Sequence, residues 1–154
     1  RPLIGLQNWV SRSNYPALNV VQTGENEMSV YVNESYAQPS AHLKRYSMRL
    51  DGFASIHAGY EAGYFLTKPL IFTGNELELN YSTSAAGSVK VEILNVDGQV
   101  IEGFSEKECQ EIIGNEIKRI VSWEGGKDLS QLQGQSIKLK FIIKDADLYS
   151  FKFN

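Results

Sequence analysis

Residues 136–145 read SIKLKFIIKD. Ile137, Leu139, Phe141 and Ile143 alternate with Lys138, Lys140 and Lys144. A period of two puts the apolar set on one side of an extended chain and the lysines on the other, which predicts a strand with one face in a core and one in water. The same alternation recurs at residues 76–82 (ELELNYS), with Leu77, Leu79 and Tyr81 inward. It recurs at 88–94 (SVKVEIL), with Val89, Val91 and Ile93 inward, and in the closing LYSFKF, with Tyr149, Phe151 and Phe153 on one face.

Further short extended runs follow the same rule. EMSVYV (27–32) aligns Met28, Val30 and Val32, and HLKRYSMRL (42–50) aligns Tyr46, Met48 and Leu50. FASIHA, YFLTKPLIFTG and NEIKRIVSW add three more, and Asp97-Gly98 is the clearest hairpin signal. Gly74-Asn75, Ser84–Gly87 (SAAG) and Asp145–Asp147 read as further turns between strands. Ser105 with Glu108 forms a capping box at the head of one short helical turn. No helical period survives ten residues. Some nine to eleven short strands separated by turn signals predict an all-β fold, an antiparallel β-sandwich of jelly-roll type.

The chain has 154 residues, enough for one domain with a core and an attached segment. Charged residues make up 21% and the net charge is −3, with both signs interleaved. No basic stripe is present, which argues against a nucleic-acid partner. The apolar runs are too short to span a membrane as a helix. Cys109 is the single cysteine, so no disulfide forms within the chain.

Residues 1–44 differ in texture. Pro2, Gly5, Pro16 and Gly24 break any period, and Trp9, Tyr15 and Leu18 need something to pack against. Domain organisation is therefore expected as an irregular N-terminal segment, 1–44, and a sandwich, 45–154. The seam falls in RYSMRLDGFASIHAGYEAG (45–63), where Arg49 and Asp51 fix the junction geometry.

Residues with chemistry are sparse. His42 and His57 lack the spacings of a metal or catalytic motif, so structural roles are expected. Cys109 lies in the acidic EKECQE, where negative neighbours raise a thiol pKa, and it is expected as a small buried group. Glycosidase chemistry needs two carboxyls about 5–10 Å apart, and only Asp51 with Glu61 or Asp145 with Asp147 suggest such a pair. No catalytic residue, metal site or cofactor is expected. The aromatics offer more. Tyr60, Tyr64 and Trp123, with Glu61 beside them, are the candidates for a carbohydrate-binding platform, the competing role being core packing.

Three tracts carry a family resemblance: RYSMRLDGFASIHAG (45–59), TKPLIFTGNELELNYSTSAAGSVKVEILNVDGQVIEGFS (67–105) and IVSWEGGKDLSQLQGQSIKLKFIIKDADLYSFKF (120–153). Their motifs are Arg49-x-Asp51-Gly52-Phe53, Thr67–Pro69, Val91–Ile93, the Asp97-Gly98 hairpin, Gly103–Ser105, Trp123 and the DLYSF of 147–151. Together they resemble the C-terminal β-sandwich of bacterial glycoside hydrolases akin to family 32 and other five-bladed β-propeller glycosidases. The resemblance implies a non-catalytic accessory sandwich that stabilises a catalytic propeller and contacts carbohydrate, in a protein that is secreted or periplasmic. It makes residues 1–44 a remnant of that propeller, and open strand edges left there are a route to oligomers. The chain also opens without an initiator Met, in keeping with a piece of a longer protein. The WMNDPNG, RDP and EC signatures of family 32 are absent, so no catalytic residue carries over. Two further expectations stand beside this one: a stand-alone carbohydrate-binding module, and a small enzyme built on an unrecognised acid pair.

Overall fold

The computed structural model describes residues 15–154. Trp9 and the first part of the expected N-terminal segment lie outside the described residues. The protein is all-β and antiparallel, with nine strands among the described residues. It divides into two compact units at Gly52/Phe53, inside the 45–63 stretch; the expected boundary at 44/45 falls within a strand.

The first unit is a four-stranded sheet. β3 (Glu27–Glu34) pairs along its whole length with β4 (His42–Arg49). Its other side takes two short strands, β1 (Tyr15–Pro16) opposite Val32 and Asn33, and β2 (Val21–Gln22) opposite Met28 and Ser29. Apolar burial is thin here: Met28 is buried, while Leu18, Val21 and Leu43 are exposed. A polar cluster joins β3 to β4. Glu34, 4% exposed, accepts a hydrogen bond from the Tyr46 hydroxyl. His42 Nε2 and Lys44 Nζ lie 3.4 Å and 3.6 Å from its other oxygen. At the end of β4 the chain turns through Asp51 (φ 55°), with Gly52 N–H donating to the Arg49 carbonyl at 3.0 Å. A Cβ on Gly52 would meet that carbonyl and the Arg49 side chain, so the turn requires glycine.

The second unit is a five-stranded sheet built around two long strands, β7 (Leu77–Asn95) and β9 (Ile137–Phe153). They pair antiparallel from Leu77↔Phe153 to Asn95↔Ile137, with register shifts between Asn80 and Tyr81 and between Thr83 and Ser88. β8 (Asn115–Ile120) flanks the first half of β7. β5 (Ile56–Ala58) and β6 (Gly63–Leu66) lie on the outer side of β9, opposite Ala146–Leu148 and Lys140–Ile143 respectively. Short 3-10 turns occupy Glu124–Gly126 and Ser130–Leu132.

Two of the expected turns are corrected here. SAAG and Asp145–Asp147 do not separate strands; they lie inside β7 and β9 at the same level. They mark a corner. Asp145 takes φ 41°, and Gly87 packs so close to the carbonyls of Lys144 and Asp145 that no Cβ fits. The sheet bends there and its halves close over one core. Leu77, Leu79 and Tyr81 come from one half and Val89, Val91 and Ile93 from the other, all in a single buried cluster with Ile137, Leu139, Phe141, Ile143 and Leu148. The sandwich layers of this unit are thus two halves of the same strands. Each large side chain sealed in this way contributes about 1.5–3 kcal/mol relative to exposure. FASIHA, expected as a further strand, yields the three residues Ile56–Ala58, which pair with β9.

Candidate functional site

The alternation that fills the core also builds an outer face. On the half of the sheet made by β6, β9 and β7, opposite residues share a face. One row runs Tyr64–Ile142–Lys90, the next Leu66–Lys140–Glu92, and Lys144 stands opposite Ser88. Their inward neighbours confirm the phase: Phe65 stacks on Phe141 at 4.9 Å with 12° between the ring planes.

Tyr60 reaches this face from the loop after β5. The Gly59 carbonyl accepts the Asp145 N–H at 2.7 Å, which ties the loop to the corner of β9. Lys144 Nζ then lies 4.9 Å from the centre of the Tyr60 ring, and Lys140 Nζ lies 5.4 Å from the Tyr64 ring. Both tyrosines stay open to solvent, at 71% and 68% exposure. Lys140 is held by Glu92 at 3.1 Å, and the second Glu92 oxygen accepts the Glu106 N–H at 3.0 Å. Glu61 is exposed in the same loop as Tyr60. Exposed ring faces on a firm strand scaffold can stack on a flat apolar surface, including the C–H face of a sugar.

Trp123 does not belong to this platform. The expectation fails because its ring is 2% exposed, edge-on to Phe104 at 5.2 Å, with the indole N–H donating to the Val91 carbonyl at 3.1 Å. Cys109 packs beside it, buried, accepting the Val91 N–H at 3.3 Å. Burial pushes its thiol pKa up, outweighing the Val91 hydrogen bond; the neighbouring Glu106 charge is a lesser cause. The expected capping box closes a single turn, in which the Cys109 N–H donates to the Ser105 carbonyl at 3.0 Å. Glu108 accepts from both the Ser105 N–H (3.1 Å) and the Ser105 hydroxyl (2.7 Å), and these contacts hold its carboxyl below the usual range.

One constellation was not visible in the sequence. β5 pairs with β9 so that His57 stands opposite Asp147. His57 Nδ1 lies 3.1 Å from Asp147 Oδ1, and the Ser55 hydroxyl donates to the same oxygen at 2.7 Å. The partners are ninety residues apart, and only the strand pairing brings them together. The three residue types are those of a hydrolytic triad, but the serine bonds the carboxylate rather than the imidazole, so it is not activated as a nucleophile. An open apolar groove of about 410 Å³ lies alongside, between Ile56, Phe65, Leu148 and Phe151.

No family model, curated protein or solved structure matches this chain. Among the described residues no group of three or more His, Cys, Asp and Glu could hold a metal ion. Among them also, no helix is long and apolar enough to cross a membrane. Asp147 is engaged by His57 and Ser55, and Asp145 lies at the corner of β9. Asp51 and Glu61 belong to different units.

Proposed function

We propose that this chain is a non-catalytic β-sandwich accessory module of a larger glycoside hydrolase, which supports the catalytic propeller and contacts carbohydrate through Tyr60 and Tyr64. The observation that carries the binding role is the pair of exposed tyrosine rings on one wet sheet face, each set beside a lysine of β9. Such rings give up apolar area to solvent in the free protein, and a stacked sugar recovers it. The accessory role rests on the three tracts that resemble the sandwich of propeller glycosidases. Secretion and a carbohydrate partner follow from the same resemblance.

Titration of the chain with soluble polysaccharides tests the binding role. Saturable binding that is lost in Tyr60→Ala and Tyr64→Ala, with unchanged unfolding curves, is the expected result. No binding at millimolar ligand contradicts it. Turnover of glycosides by this chain alone contradicts the accessory role.

The His57–Asp147 pair favours a second reading, a small enzyme with histidine as general base. Loss of a measured hydrolytic activity in His57→Ala would support that reading over the first.

A further inference from the structure

The outer face has a sign. On a chain of net charge −3, Lys138, Lys140 and Lys144 project from β9 and Lys90 from the neighbouring strand, against Glu92 as the one acid in these paired rows. Two of the lysines are engaged: Lys138 donates to the Val96 carbonyl at 2.7 Å, and Lys140 pairs with Glu92. Both Glu92 oxygens are engaged, one by Lys140 and the other by the Glu106 N–H. Lys90 and Lys144 have no carboxylate partner among the described residues. Lys144 Nζ lies instead over the Tyr60 ring, as Lys140 Nζ lies over that of Tyr64. Of the acids near in sequence, Glu61 follows Tyr60 in its loop and Asp145 follows Lys144 at the corner.

We propose that this face binds an acidic polysaccharide, a chain of uronic or sulfated sugars, in preference to a neutral one. The inference rests on the carbohydrate reading of Tyr60 and Tyr64 and adds the ligand's charge. Each tyrosine supplies the ring face that its lysine does not cover, and the ammonium over the other face stands close to the ring edge. A sugar stacked on the open face meets the cation when its carboxylate or sulfate reaches past the ring edge. Lys140 and Lys144 are four residues apart on an extended strand, about 13 Å. The two tyrosine–lysine pairs are therefore spaced to engage a polymer rather than a single sugar. An exposed ion pair of this kind shifts affinity by up to about fivefold, and several along a polymer multiply.

The test uses the intact chain. Polygalacturonate is titrated against its methyl ester, which keeps the backbone and removes the charge, and dextran sulfate against dextran. A single-stranded oligonucleotide offers stacking and charge together and serves as a further arm. The expected result is an acidic polymer bound at least about fivefold more tightly than its neutral partner at low salt, with the difference shrinking at high salt. Whichever acidic polymer shows the larger gain identifies carboxylate or sulfate as the preferred anion. The surface double variant Lys90→Gln/Lys144→Gln is expected to narrow the gap between acidic and neutral polymer with thermal unfolding unchanged, and an undiminished gap overturns the charge proposal. Equal binding of the ester and the acid overturns the charge proposal alone. An oligonucleotide bound more tightly than any glycan overturns the ligand class. Failure to bind every polymer overturns both this inference and the reading beneath it.

Discussion

Phe141 and Phe151 lie on one strand, ten residues apart, with ring centres 5.3 Å from each other. A straight strand would separate them by about 33 Å. β9 therefore folds back over itself, and β7 follows it, paired on both sides of the corner. The corner depends on Gly87, whose missing side chain lets the backbone of Lys144 and Asp145 close in.

Gly87→Ala is expected to destabilise the second unit by about 1–3 kcal/mol, since a methyl group there forces backbone apart. Gly59→Ala is the control: a Cβ at Gly59 meets nothing within 4 Å, so a change within about 0.5 kcal/mol is expected. Urea unfolding of the two variants separates them, and equal stabilities would count against the corner.

The corner also shows how much of the fold the sequence disclosed. Inward residues such as Leu79, Val91, Leu139 and Phe141 were legible because a period of two sorts them by face. SAAG and Asp145–Asp147 were legible as breaks in that period. A break in one strand looks like a chain reversal; only its alignment with a break in the paired strand makes it a bend. The site divides in the same way. Tyr60 and Tyr64 stood out by their glycine-flanked loop, whereas Trp123 follows a strand pattern and its burial depends on Val91 and Phe104, distant in sequence. The His57–Asp147 contact carries no local signal at all, because it arises from β5 joining β9.

Trp123→Ala is expected to cost about 3–5 kcal/mol. Trp123→Phe keeps most of the volume but leaves the Val91 carbonyl without its donor, at about 1–3 kcal/mol. Folded Trp123→Phe should bind polysaccharide as the parent does. Reduced affinity with intact folding would return Trp123 to the platform.

Acid should weaken the fold through identifiable carboxylates. Hydrogen bonds from Tyr46 to Glu34 and from Ser105 to Glu108 hold both pKa values below the ordinary 4.5. A carboxyl depressed in the folded state contributes stability above its unfolded pKa, and that contribution is lost as pH falls through the lower folded value. Stability is thus expected to decline below about pH 4.5. Glu34→Gln and Glu108→Gln should each be less stable at pH 7 and show a shallower decline. Parallel pH–stability curves for parent and variants would exclude these two groups.

Cys109 should report opening of the core. Its buried thiol with a raised pKa resists alkylation in the native state. Labelling by iodoacetamide at neutral pH is expected to be slower by about 10³-fold or more than in urea. Comparable rates would mean that the Cys109–Trp123 region opens freely.

The most direct measurement is a titration of parent, Tyr60→Ala and Tyr64→Ala with polygalacturonate and with its methyl ester, with an unfolding curve recorded for each protein. Because both rings are mostly exposed, the account predicts unchanged stability and a loss of about 1–3 kcal/mol in binding for each variant, as found for other stacking aromatics. Parent-like affinity in both variants, or a parent that binds neither polymer, would contradict it.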